Sequence, residues 1–95
     1  MITGPDGAKG IVRVARVILT SGLGNQFCNG ETEFEIKVAD VRQLIGVLET
    51  RFPGIKTELE REMAVAIDGE IYQDPFLEQI APDSEVYFLP RIGGG

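Results

Sequence analysis

The sequence predicts an α+β fold in which a mixed sheet of four to five strands wraps one main helix. Three stretches predict it. "TEFEIKV" alternates apolar and charged residues, "ADVRQLIGVLETRFPG" repeats its apolar residues at helical spacing, and Asp68-Gly69 separates two β-rich runs. One such helix beside two hairpins is an arrangement of two packed layers.

The elements follow in chain order. Residues 1–10, "MITGPDGAKG", carry no apolar pattern and read as a flexible leader ahead of a domain at 11–90. "IVRVARVILT" is rich in β-branched residues and reads as the first strand. The polar stretch at 21–31 reads as a loop. In the second strand Phe34, Ile36 and Val38 share one face, and Glu33, Glu35 and Lys37 the other, as an antiparallel hairpin with one wet face requires. In the helix, Val41, Leu44, Ile45, Leu48 and Phe52 form the apolar stripe, Asp40 is the N-cap, and Pro53-Gly54 is the stop. Gly46 lies inside it and suggests close packing of helix on sheet.

"MAVAIDGEIY" reads as a tight hairpin turning at Asp68-Gly69. "FLEQIAP" reads as one irregular or 3₁₀ turn. "DSEVYFLP" is the last strand, closed by Pro90, which has no N–H to give to a ladder. The chain then ends "RIGGG", so residues 91–95 read as a flexible glycine tail.

Composition removes several functions. The formal charge is −6, fifteen acids against nine bases, which argues against a nucleic-acid partner. There is no histidine, so the usual general base and commonest metal ligand are missing. One cysteine, Cys28, excludes an internal disulfide and a cysteine zinc cluster, and reads as an incidental thiol. The first strand is too short and too interrupted by Arg13 and Arg16 to span a membrane, and no signal peptide is evident. The expectation is a cytoplasmic protein that is not a self-contained enzyme and binds no metal or cofactor of its own.

With the tail included, residues 11–95 resemble the MoaD/ThiS family of ubiquitin-like sulfur carriers. The resemblance rests on the helix "VRQLIGVLETRFPG", the hairpin "VAIDGEIY" and the ending "DSEVYFLPRIGGG". There Asp83, the strand 86–89, Pro90 and Gly94-Gly95 fill the family's acidic turn, last strand, proline and diglycine, and Gly93 is an extra glycine. The resemblance implies a β-grasp fold, with the first and last strands side by side and parallel in mid-sheet. It implies that a ubiquitin-activating-like adenylyltransferase uses ATP to adenylate the Gly95 carboxylate. A sulfur donor, a cysteine desulfurase or rhodanese-like protein, then leaves a C-terminal thiocarboxylate. Molybdopterin synthesis is the leading pathway, with insertion of the tail into the molybdopterin-synthase large subunit. Carriers for thiamine, cysteine or another sulfur metabolite share the pattern.

Such a tail also has a physical rationale. A terminal carboxylate, with a pKa of about 3.5, is ionised at neutral pH. Five residues beyond Pro90 reach about 17 Å at ~3.3 Å each, and the small Gly93, Gly94 and Gly95 pass a narrow channel.

Docking is expected through Tyr87 and Leu89, opposite helix-facing Val86 and Phe88, and through Pro90, Arg91, Ile92 and Gly93. The alternative is a sheet buried on both faces. Arg91 has two readings, pairing with an acidic groove or plain solvation. Two other classes compete with the carrier: a modifier joined through Gly95 to lysines of target proteins, and an interaction module whose glycines are a linker.

Overall fold

The computed structural model of the chain describes residues 14–91. The leader, the beginning of the first strand, Ile92, Gly93, Gly94 and Gly95 lie outside the described residues. The period-two stretches become β1 (Ala15–Ile18), β2 (Glu33–Ile36), β3 (Met63–Ile67), β4 (Glu70–Tyr72) and β5 (Glu85–Pro90). They form one five-stranded sheet ordered β2-β1-β5-β3-β4. β1 and β5 are its parallel pair, with Val17 beside Val86, and the other pairs are antiparallel. This is the β-grasp arrangement.

The predicted helix is α2 (Val41–Arg51), where the Asp40 carboxylate accepts the Gln43 N–H at 2.7 Å. Its stripe of Val41, Leu44, Ile45 and Leu48 is buried against Val17, Val65, Val86 and Phe88 from the sheet. The Phe34 and Phe52 rings, 5.5 Å between centroids and tilted, join the far end of α2 to β2. Gly46 contradicts its reading as a close-packing point. A Cβ built there meets nothing within 4 Å. Gly46→Ala is therefore expected to raise stability by about 1 kcal/mol in denaturant titration. A destabilised variant would mean that the glycine serves some other need.

Two further helices accompany this main helix, and the first of them corrects the expectation of a plain loop at 21–31. α1 (Ser21–Phe27) occupies the stretch read as a loop, capped by the Thr20 hydroxyl accepting the Leu23 N–H at 3.1 Å. Gly24 is required there, because a Cβ would stand 2.7 Å from both the Glu31 carbonyl oxygen and the Thr32 methyl. Cys28 follows α1 and is buried, and burial followed by the nearby Glu31 charge pushes its thiol pKa up. That suppresses the thiolate and suits the reading as an incidental thiol.

α3 (Ile55–Glu62) follows Gly54, whose φ of +100° lies in the left-handed region that glycine tolerates. Gly54 has no side chain to cap α3. Glu49 supplies the acceptor instead, taking the N–H of Gly54 at 3.1 Å and of Lys56 at 2.9 Å. Those donors hold its carboxyl below the ordinary range. Ile55 and Leu59 anchor α3 in the core, and the helix runs directly into β3.

The β3–β4 hairpin turns where predicted, with φ of +49° at Asp68 and +89° at Gly69, positive at both positions as a type I′ turn demands. The Asp68 carboxylate also accepts from the Glu85 N–H at 2.9 Å and the Ser84 hydroxyl at 2.8 Å. It thereby ties the turn to the start of β5. The Glu85 N–H first, and the Ser84 hydroxyl second, hold the Asp68 pKa below its ordinary value.

A depressed folded-state pKa contributes stability above the unfolded value of ~3.9, and that contribution is lost as pH falls through the folded value. Asp68→Asn preserves tolerance of the positive φ. The variant should melt below wild type at pH 7, and the gap should close in strong acid. A gap that does not change with pH would show that the charge plays no part in the clasp.

Candidate functional site

The site grows from the alternation of β5. Val86 and Phe88 point into the core and are fully buried, so Tyr87 and Leu89 must lie on the other face. Tyr87 is 39% exposed and Leu89 half-buried. Pairing then decides what surrounds them. Tyr87 stands beside Ile18 of β1 and Ala66 of β3, Ala66 opposite Ile71 of β4, and Leu89 opposite Ala64. One row thus crosses four strands as Ile18, Tyr87, Ala66 and Ile71. Ile71 is 54% exposed, while both alanines are covered although neither belongs to the core cluster. The outer face is apolar at its centre, and the alternative of burial on both faces does not hold for Tyr87 or Ile71.

Toward β2 the face turns ionic. Arg16 pairs in register with Glu35 and Glu85, and its Nη1 lies 3.4 Å from a Glu85 carboxylate oxygen. Both side chains are half-exposed, so this bridge contributes little. Glu33 and Glu35 are exposed beside it. Polarity therefore runs from a carboxylate flank at the start of β5 to an apolar end at Leu89 and Pro90.

Pro90 is exposed and opposite Met63, the last register pair of β5 and β3. Arg91 is exposed and also bonds within its own chain. Its N–H donates to the Glu62 carbonyl at 2.8 Å, and its Nη2 donates to the carbonyls of Met63 at 3.3 Å and Glu60 at 3.5 Å. It also borders a recess of about 90 Å³ floored by Leu59, Met63, Val65 and Phe88. The structure thus brings Tyr87 and Leu89 together on one face and carries Pro90 and Arg91 to its edge. Ile92, Gly93, Gly94 and Gly95 lie outside the described residues.

Sequence reading missed Ile18, Ala64, Ala66 and Ile71. A signal for two of them was present, because a two-residue Asp-Gly turn forces Ala66 opposite Ile71. Among the described residues no group of His, Cys, Asp or Glu could hold a metal ion, and no helix is long and apolar enough to cross a membrane.

The family model that matches is that of the ThiS family, over residues 25–95. Among solved structures, a chain of the Amycolatopsis orientalis BexX/CysO complex is similar, at 25% identity and a TM-score of 0.72. That match covers 85% of this chain and 99% of the other. No curated protein matches the chain.

Proposed function

The chain belongs to the ThiS family of ubiquitin-like sulfur carriers, and on that premise we propose that it carries sulfur on a C-terminal Gly95 thiocarboxylate. The observation that carries the reading is the apolar outer face of the strand that ends at Pro90, ahead of the glycine tail in the sequence. A partner seated on Tyr87, Leu89, Ala66 and Ile71 is close to Pro90, five residues before Gly95 in the sequence. The chain contributes the carboxylate and the docking face, and the chemistry belongs to partner enzymes.

A ubiquitin-activating-like adenylyltransferase binds this face and ATP. A Gly95 carboxylate oxygen attacks the α-phosphorus, and pyrophosphate leaves. The terminal sulfur of a persulfide, held by a cysteine desulfurase or rhodanese-like donor, then attacks the acyl carbon and displaces AMP. A thiol then attacks the donor's sulfur in the resulting acyl disulfide, so that the thiocarboxylate leaves on Gly95 and a disulfide joins that thiol to the donor's cysteine.

Two acceptors fit this chemistry. Length, the long helix and the proline before the tail support molybdopterin synthesis, with the tail entering the molybdopterin-synthase large subunit. The likeness to a chain of the BexX/CysO complex favours a second reading, delivery of sulfur to an enzyme of cysteine or another sulfur metabolite.

The test is intact mass after incubation with the adenylyltransferase, ATP and the sulfur donor. The carrier role predicts a gain equal to sulfur minus oxygen, which chasing with each acceptor enzyme and its substrate should discharge. Isopeptide-linked adducts on lysines in place of that gain would make the protein a modifier. Absence of both, with no pyrophosphate released, would reject activation at this terminus.

A further inference from the structure

We propose that Arg91 is a positioning residue that fastens the root of the tail to the C-terminal end of α3. It would thereby set the direction and reach with which residues 92–95 enter the adenylyltransferase. The inference rests on the sulfur-carrier reading and goes beyond it by assigning a task to a residue within the carrier.

The argument begins with unmet acceptors. The last carbonyls of a helix have no partner within it, and the C-terminus carries partial negative charge. α3 ends at Glu62 and passes into β3 with no intervening residue, so no loop folds back to serve those carbonyls. Arg91 reaches them from the other end of the chain. Its N–H serves Glu62 at 2.8 Å, and its Nη2 serves Glu60 and Met63 at longer range. Guanidinium suits this task, because it is always charged and offers several donors from one plane.

The neighbouring residue makes the arrangement necessary. Pro90 pairs with Met63 but has no N–H, so the first N–H after Leu89 able to secure the chain to the body is that of Arg91. α3 is in turn held rigidly. Ile55 is completely buried, Leu59 is 3% exposed, and Glu49 satisfies its first turn. The tail root is therefore tied to a fixed element, and four residues, about 13 Å at ~3.3 Å each, remain to reach the reacting phosphate. Chemistry at a carboxylate delivered over that distance depends steeply on where the span begins. This role differs from recognition of an acidic partner groove, because it uses the backbone N–H and Nη2 of Arg91 toward carbonyls of its own chain.

The experiment compares wild type with Arg91→Ala, Arg91→Lys and Arg91→Pro. Alanine removes the side-chain donors and proline removes the N–H as well. Pyrophosphate release in the presence of the adenylyltransferase and ATP gives kcat and KM, and titration without ATP gives Kd. We expect kcat to fall about tenfold in Arg91→Pro, the scale set by freeing one backbone residue. It should fall less in Arg91→Ala, and Arg91→Lys should lie between alanine and wild type. Kd should be unchanged, and melting temperatures should stay within about 3 °C of wild type.

An unchanged kcat would overturn the proposal. So would a raised Kd with intact kcat, which would make Arg91 a docking contact. The free wild-type protein supplies an independent check, because an anchored Arg91 amide should be protected from hydrogen exchange, and an unprotected one would refute the anchor without reference to any partner. Wild type that releases no pyrophosphate would reject the carrier reading itself, and the role of Arg91 in it.

Discussion

Deletion of Gly95 is expected to reduce thiocarboxylate formation at least ~100-fold without changing the melting temperature. The deletion does not remove the reacting group. Gly94 then ends the chain, so a carboxylate of similar pKa on an equally small residue is still present. The change is one of reach, because the carboxylate stops about one residue, ~3.3 Å, short of its former position. In-line attack on a phosphate needs the reacting atoms about 3–3.5 Å apart, and a displacement of about 1 Å already costs on the order of 100-fold.

Deleting Gly94 and Gly95 together leaves Gly93 last and doubles the shortfall, so no product should form. Appending one alanine after Gly95 moves the carboxylate past the site by the same distance and should fail likewise. The measurements are pyrophosphate release and the intact mass after sulfur transfer. Wild-type rates from the single deletion would move the reactive end to Gly94 and make the third glycine dispensable.

The parts of this fold that can be read from sequence are those in which one segment contains its own reason. Phe34 and Ile36 alternate with Glu33 and Glu35, Asp40 precedes an apolar stripe, and Asp68-Gly69 meets the φ demands of its turn. Each became the predicted element. α3 was hidden because "IKTELERE" offers Ile55 and Leu59 as its buried apolar pair, and its cap is Glu49 of the preceding helix. α1 contains Gly22 and Gly24, poor helix formers, and Gly24 belongs there for lack of space beside Glu31 and Thr32.

The site divides along the same line. The outward placement of Tyr87 and Leu89 follows from alternation in β5 alone. Ile18 joins them through a parallel pairing that local pattern does not encode, and the bond from Arg91 to Glu62 spans elements whose neighbourhood exists only after folding.

Tyr87→Glu is expected to weaken association with the adenylyltransferase about 100-fold, with little change in the stability of the free protein. Tyr87 occupies the middle of the row from Ile18 to Ile71, where an interface excludes water most completely. A glutamate there loses the aromatic contact and also brings a carboxylate into a desolvated centre with no partner, at about 3 kcal/mol or more. In the free protein the same carboxylate remains in water, because the position is 39% exposed.

Leu77→Glu is the control. Leu77 is 82% exposed but sits on the 3₁₀ turn Pro75–Leu77, outside the strand rows, and its Kd should match wild type. Reversal of Glu33 and Glu35 to lysine tests the ionic flank separately. Exposed charges act mainly through association rate, so that variant should alter kon and its salt dependence and leave koff nearly unchanged. Tyr87→Glu should do the opposite, acting through koff at any ionic strength. If Tyr87→Glu and Leu77→Glu bind equally well, the apolar row is only a filled surface of the sheet, and the partner must grip the tail alone.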